Sequence, residues 1–501
     1  MLSLFTGLKN SCVPSFTEND VRKCLQSLNS FRCLGPDGIP NLHFKKCADV
    51  LCYPFTTIFN RSFSSNLIPK MWRKMKIIAI PKKASGDKNV KFRPIAITSP
   101  FLKTMEKLLT LSLQPAIKEH IDQYQFAYRC KRSTLDAVAV LHHNIMFNLE
   151  KGKKYVRCAF LDYTSAFDSI SRQRSLNKLI SVNTDSWITS WLCSYLSGRE
   201  QYTVFGGKCS ESLVSYEGVP QGAVLSPLLF SFFLHDLSSS AVNTFVKYAD
   251  DLTVCMPISS YLHPIEMNEF LSRIDSWSVV NGLILNPSKC QAVNFSMRHD
   301  RHLNTFLRSH NACAIGDSLI NTVSTVNYLG VTFSSDLSWS SNVSLLSKKV
   351  LRLTYYIKRL HALGITRHLL LQFVNSCILP IILYCSPLFF PGLLRKDFSV
   401  LRRVLKAVSK VCGESFETII NMVVNRHLKS CKLLAGVILS DTNHPLHSYL
   451  PPCIPSGRTR RNYIKIQARK QKYKRSIIPY LANILCDEQV VRVNLVNNLH
   501  S

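Results

Sequence analysis

The spacing of apolar positions changes several times along the chain, and each change marks an element. From Thr17 onward, Val21, Leu25 and Leu28 recur at helical spacing until Gly35-Pro36-Asp37-Gly38 imposes a turn. Met75-Lys76-Ile77-Ile78-Ala79-Ile80-Pro81 is a β-rich run ending at a proline, and the polar Lys82–Lys88 stretch behind it predicts a hairpin-like projection carrying basic residues. Helices are predicted over Pro100–Leu113 and Ser133–Leu149. In the second, Ser133 can cap while Leu135, Val138, Val140, Leu141 and Ile145 form an apolar face. Tyr155–Leu161 reads as a strand. Leu228–Leu234 is apolar all round, which for a helix implies burial. Gly282–Lys289 reads as a turn before a strand over Gln291–Phe295, Val326–Phe333 as a pair of strands, and beyond Ser340 the pattern is helical. Strands and helices that alternate irregularly predict an α+β fold.

Composition narrows the partners. The chain has 501 residues, room for about three structural units, and a globular apolar share. Its 62 Lys and Arg against 31 acids leave a formal charge of +31, a surplus suited to a polyanion such as nucleic acid. The surplus is concentrated late: residues 341–501 hold 25 Lys and Arg against 6 acids, and Arg458–Arg475 holds nine basic residues and no acid. The most apolar stretch, Ile378–Leu394, contains Pro380, Pro387 and Pro391, which would break a membrane-spanning helix, so it is expected to be buried protein core and no membrane partner is expected.

Met1–Lys9 lacks the basic flank and apolar run of a secretion signal, which predicts an intracellular protein of the nucleus or cytoplasm. Eighteen scattered cysteines lack the close spacings of a disulfide framework and are expected to be mostly buried thiols. Cys412, Cys431, Cys453 and Cys486 lie too far apart for a zinc site.

The chemistry rests on acids. Phe245-Val246-Lys247-Tyr248-Ala249-Asp250-Asp251-Leu252-Thr253-Val254 places two adjacent carboxylates between strand-prone runs, as at the tip of a hairpin. Asp162 directly follows the Tyr155–Leu161 strand, so strand ends can bring its carboxylate to the pair. Asp-Asp pairs are common in turns, and an Asp after a strand often caps a helix. Three converging carboxylates are different: they repel unless a divalent cation neutralises them, and hard oxygen ligands suit magnesium or manganese. That arrangement fits two-metal phosphoryl transfer.

Around these acids, Asp162-Tyr163-Thr164-Ser165-Ala166-Phe167-Asp168, Gly218-Val219-Pro220-Gln221-Gly222-Ala223-Val224-Leu225-Ser226-Pro227 and Tyr248-Ala249-Asp250-Asp251 follow one another in a single order. The chain thereby resembles the reverse transcriptases. Through Gly35-Pro36-Asp37-Gly38-Ile39-Pro40, Lys91-Phe92-Arg93-Pro94-Ile95-Ala96-Ile97-Thr98-Ser99 and Gln125-Phe126-Ala127-Tyr128-Arg129 it resembles more narrowly the polymerase of a non-LTR, LINE-like retrotransposon. The resemblance runs strongly from Gly35 to Gly330 and continues weakly through Ile378–Tyr384 and His444-Pro445-Leu446-His447. His235 stands where the family often has Asn, and Tyr248 where it often has Phe.

The resemblance implies a right-hand polymerase: a fingers extension over residues 1–60, a catalytic domain of fingers and palm over 61–334, a helical thumb-like region over 335–440 and a basic segment over 441–501. It implies RNA-directed DNA synthesis from a DNA primer on an RNA template, with deoxynucleoside triphosphates and Mg2+, or Mn2+ in its place. Asp162, Asp250 and Asp251 become metal ligands and catalytic residues, with Asp251 touching or orienting one ion only. Arg93 matches the arginine that grips the triphosphate, with Lys82 as a weaker partner. Gln221 and Gly222 approach the nucleotide, and Lys289 is the candidate proton donor to the leaving pyrophosphate. Phe167 matches the aromatic gate that excludes a 2′-hydroxyl, and Tyr328-Leu329-Gly330 resembles the primer grip.

The family's usual N-terminal endonuclease is not in this sequence, so a separate endonuclease is expected to make the target nick. The rival expectations are a nucleic-acid-binding retrotransposon remnant without polymerase activity, and a group II intron or retron-type polymerase.

Overall fold

The computed structural model describes residues 13, 15–31, 34–82, 92–237, 244–258, 264–297, 313–451, 454–456 and 460–500. Met1–Lys9, the loop residues 83–88, Lys91, Cys453 and Arg458, which figure in the sequence reading, lie outside the described residues. The chain divides into two interleaved units, one drawn from Met1–Asp122, Tyr163–Ser238 and Ile274–Leu285, the other from Gln123–Asp162, Ser239–Arg273 and Asn286–Ser501.

In the first unit, the helix Glu18–Gln26 starts where Thr17 and Asp20 form a capping box, and it buries Val21, Cys24 and Leu25. The helices Glu18–Gln26 and Ala48–Ser65 pack together, with Phe16, Phe55, Phe59 and Phe63 in their aromatic core. The expected hairpin forms: Lys74–Pro81 pairs antiparallel with Phe92–Ile97, so that Arg93 lies opposite Ile80. Lys74–Pro81 also pairs in parallel with Arg199–Phe205, which extends the sheet through Lys208–Cys209 and Leu213–Ser215. The helix predicted from Pro100 runs to Ile117, with the Ser99 hydroxyl capping its start. The apolar run at Leu228–Leu234 is the helix Ser226–Phe233, buried as expected at Leu229, Phe230, Phe232 and Phe233.

The second unit is built on a sheet in the order Asn321–Thr322, Gln291–Phe295, Tyr155–Leu161, Asp251–Ile258, Thr244–Tyr248. Tyr155–Leu161 is buried at every position, Arg157 included, whose Nε–H donates to Asn294 Oδ1 on the neighbouring strand at 2.8 Å. The helix Thr134–Glu150 packs against Thr244–Tyr248, Asp251–Ile258 and Tyr155–Leu161. Its start is secured by the Asp136 carboxylate, which accepts both the Ser133 backbone N–H at 2.8 Å and its hydroxyl at 2.6 Å.

The hairpin Thr325–Tyr328/Val331–Ser334 follows, and then helices that include Ser340–Ala362, Arg395–Cys412, Phe416–Ser440, Ile477–Cys486 and Glu488–His500. One hydrophobic core runs from Phe126 through the sheet to Leu499. Ile378–Leu394 lies in it, with Ile378, Leu379, Leu388 and Phe389 fully buried. The chain bends there by 43° between Arg367–Leu383 and Ser386–Gly392, and among the described residues no single helix is long and apolar enough to cross a membrane. The fifteen described cysteines are free thiols, nine of them buried.

Candidate active site

The antiparallel register of Tyr155–Leu161 and Asp251–Ile258 pairs Leu161 with Leu252, so Asp162 and Asp251 stand next in line at adjacent strand ends. Directly opposed residues of an antiparallel pair turn the same way, which is how positions so far apart in sequence reach one site. Tyr248 pairs with Asp251 across a two-residue turn of Ala249 and Asp250. Ala249 takes a φ of +55°, a conformation that hairpin turns of this length usually give to glycine and that costs an alanine about 1 kcal/mol or more.

That turn is held from outside the hairpin. The Gln125 side-chain carbonyl accepts the N–H of Ala249 at 3.3 Å and that of Ala127 at 3.1 Å. The neighbouring backbone is zipped to the strand, Phe126 N–H donating to Lys247 O and Lys247 N–H to Tyr124 O, each at 2.9 Å. The Gln125-Phe126-Ala127-Tyr128-Arg129 motif therefore braces the paired acids, a role its sequence did not reveal. Further out, Asp136 accepts from His444 at 3.2 Å and Asp441 pairs with Arg132 at 2.7 Å, which ties the His444-Pro445-Leu446-His447 motif to the same segment.

Burial, reinforced by Asp250 and Asp162, pushes the Asp251 carboxyl up to about 6. Asp162 is met by Lys289, whose ammonium lies 2.6 Å from Oδ2. The turn bearing Lys289 is folded back onto Asp162: Asn286 N–H donates to the Asp162 carbonyl at 2.9 Å, and Asp162 N–H donates to Cys290 Sγ at 3.4 Å. Asp162, Asp251, Lys289, Asn327 and Tyr328 line a cavity of about 190 Å3. Its wall of Tyr328 and Leu329 leads into a tight turn with φ of +47° at Leu329 and +80° at Gly330, and the Leu329 carbonyl accepts from the Tyr384 hydroxyl at 2.7 Å.

Among the described residues no three His, Cys, Asp or Glu side chains converge closely enough to hold a metal ion as they stand. The donor set nevertheless suits a hard divalent cation, because carboxylate oxygens are the ligands such ions prefer and a cation would relieve the burial and the anionic neighbours that raise the Asp251 carboxyl.

The other expected residues belong to the first unit. Arg93 and Lys82 are exposed, at the second position of Phe92–Ile97 and just beyond Lys74–Pro81. Phe167 stacks on Phe230 at 4.5 Å and 18°, and its carbonyl accepts from Val219 N–H at 2.9 Å. The Gln221 carbonyl accepts from Ala96 N–H at 2.7 Å, joining the Pro-Gln-Gly loop to the strand of Arg93. Gly222 has φ +122°, and a Cβ there would come within 2.6 Å of the Ala96 carbonyl oxygen, so only glycine allows this close approach.

Sequence reasoning missed Glu106, which is fully buried in the helix Pro100–Ile117. Its carboxyl accepts from the Tyr195 hydroxyl and from Val224 N–H, each at 2.6 Å, and burial pushes it up to about 7. A lone acid on an apolar helical face was the available signal. Arg199 and Arg172 similarly hold the Gly218 carbonyl at the start of the loop, at 2.7 and 3.4 Å.

Residues 80–333 match the family model for reverse transcriptase (RNA-dependent DNA polymerase), just over half of the chain. The chain is 26% identical over 359 residues to the RNA-directed DNA polymerase from mobile element jockey of Drosophila melanogaster, covering 68% of this chain and 38% of that protein. It is 24% identical to the probable RNA-directed DNA polymerase from transposon X-element of the same species, covering 66% and 36%. It is also 24% identical to a Pol polyprotein of the retrotransposable element R2 of Popillia japonica, covering 55% and 46%. The chain thus spans well under half the length of the first two relatives. Apo telomerase from Candida tropicalis aligns with a TM-score of 0.40 at 12% identity, over 79% of this chain and 67% of that one. On the family match, which takes in all three acids, Arg93 and the Pro-Gln-Gly loop, the chain belongs to the reverse transcriptase (RNA-dependent DNA polymerase) family, with relatives among the polymerases of non-LTR retrotransposons.

Proposed function

We propose that the protein extends a DNA primer on an RNA template, joining the primer 3′-hydroxyl to the α-phosphate of a deoxynucleoside triphosphate. The observation that carries this reading is the alignment of Asp162 with Asp251 at paired strand ends, with Asp250 in the adjoining turn. Asp162 and Asp250 would hold two Mg2+ ions, or Mn2+ in their place, with Asp251 touching or orienting one of them. Bound there, such ions acidify the attacking hydroxyl and stabilise the charge that builds on the leaving pyrophosphate.

The chain's own residues position the reactants. Arg93 offers a planar fork to the triphosphate and Lys82 a second cation. Gln221 and the Gly222 backbone line the approach to the nucleotide, and the Phe167 ring excludes a sugar with a 2′-hydroxyl. Lys289, within 2.6 Å of Asp162, carries a proton at the acids that the leaving group can take. Family membership and relatives named as RNA-directed DNA polymerases support the reading over a purely binding remnant.

The polymerase divides into fingers and palm up to residue 334, a thumb-like region over 335–440 and the basic segment over 441–501. The test is primer extension on an RNA template: Asp250→Asn is expected to abolish product while RNA affinity stays within about twofold of wild type. Normal extension by that variant overturns the metal assignment, and RNA binding without extension by the wild type overturns the polymerase reading.

A further inference from the structure

Three basic residues of the last third stand around one cavity. Phe390–Arg395, the start of Arg395–Cys412, and the helices Ile477–Cys486 and Glu488–His500 enclose about 650 Å3, within the range of pockets that take a small organic ligand, about 300–1,000 Å3. Arg395, Lys474 and Arg475 stand at this cavity, and no carboxylate lines it. Among the described residues none of the three cations has an ion-pair or side-chain hydrogen-bond partner. The amides of Asn483, Asn494 and Asn498 line the same cavity and are likewise uncommitted. The floor is apolar, built on Phe398 and on a Tyr480 ring fixed by its hydroxyl, 2.8 Å from His427 Nε2.

Three uncommitted cations attract phosphate, and three amides with both donors and acceptors match the polar edge of a base above an apolar surface. The formal charge of +31 and the reverse transcriptase family match favour a nucleic acid over an acidic peptide at these groups. We propose that this cavity binds one nucleotide of a single-stranded RNA, with its phosphate on Arg395, Lys474 and Arg475 and its base against Asn483, Asn494 and Asn498. The site is separate from the carboxylate centre. Because it is read by binding rather than by extension, its failure is distinguishable from failure of the polymerase assignment.

The test uses the full chain and a short fluorescein-labelled RNA in anisotropy titrations across a range of salt. Arg395→Gln/Arg475→Gln is expected to weaken binding about tenfold and lower the salt slope by about 1, as for the loss of one phosphate contact, while Lys410→Gln/Lys429→Gln, which removes equal charge elsewhere in the same unit, changes the affinity less than twofold. Adenosine monophosphate is expected to compete better than inorganic phosphate, and 4-thiouridine in the RNA to crosslink within the Asn483–Asn498 stretch. Unchanged affinity in the cavity variant overturns the proposal, as does an equal loss in the control. Equal competition by phosphate reduces the site to a bare anion hole, and displacement by polyglutamate as effective as by unlabelled RNA makes it an acidic-peptide surface. Either result overturns the assignment.

Discussion

Lys289 Nζ lies 2.6 Å from Asp162 Oδ2, so the acid at the end of the central strand already has a cation beside it. Any divalent ion taking that oxygen competes with the ammonium. The pair is partly exposed, and exposed pairs are worth about 0.2–1 kcal/mol, which limits the competition to less than about fivefold. Lys289→Ala should therefore lower the Mg2+ midpoint for single-nucleotide incorporation by up to about fivefold while reducing kcat. A midpoint that rises, or a kcat that stays at the wild-type value, contradicts the two roles given to this lysine.

Gln125 is expected to act on the acids through the turn. Replacing it with Met leaves the Ala249 N–H without its side-chain acceptor, and a buried unpaired donor costs about 1–3 kcal/mol. Gln125→Met should lower the melting temperature and reduce kcat with little change in the KM for deoxynucleotide. Gln125→Glu, which keeps an acceptor oxygen, should recover part of the loss. A variant with normal turnover would show that the turn keeps its shape without this bond.

Glu106 and Asp251 give the metal-free protein an unusual pH profile. Both have folded values above their ordinary ones, about 7 against 4.5 and about 6 against 3.8. Groups shifted upward bind more protons folded than unfolded, so stability is greatest below the unfolded values and declines as pH rises towards the folded ones. The buried His142, His143 and His427, each pushed down to about 3, act in the opposite sense below about pH 6.5 and are common to wild type and variant, so the decline is read as a difference. Compared with Glu106→Gln in melts between pH 4 and pH 8, the wild type should lose an advantage on the order of 3 kcal/mol between about pH 4.5 and 7. A profile unaffected by the substitution would mean that Glu106 is ionised in the fold.

Gly222→Ala should be damaging out of proportion to its one methyl group. The added Cβ meets the Ala96 carbonyl oxygen at 2.6 Å, and the φ of +122° is hostile to any L side chain. Either the loop moves away from the strand of Arg93 or the strand gives way. A KM for deoxynucleotide raised at least tenfold is expected, with a stability loss of about 1–3 kcal/mol. Wild-type kinetics in this variant would remove the Pro-Gln-Gly loop from the nucleotide site.

Much of this was legible in the order of residues. The strand Tyr155–Leu161, the acid hairpin, the finger hairpin and the capped helix from Thr134 all follow from local period and turn chemistry, which the chain carries within short windows. Asp162 and Asp250 were legible for the same reason: each sits at the end of a strand whose pattern announces it. Glu106, Gln125 and Asp136 were not, because their work is defined by partners far along the chain. Val224 lies 118 positions from Glu106, and His444 lies 308 from Asp136. A buried acid or amide reads as a flaw in an apolar face until the fold supplies its donor. The cavity at Arg395 and Arg475 was hidden for the same reason, since composition showed the surplus of charge but not its convergence.

The strand Thr244–Tyr248 is the outermost member of the acid-bearing sheet, yet Tyr124 and Phe126 already engage Lys247. Bare outer strands invite a neighbouring molecule to add itself. By laying its own segment there, this chain reserves the margin beside its acids and discourages self-association at the place where a stray strand would do most harm.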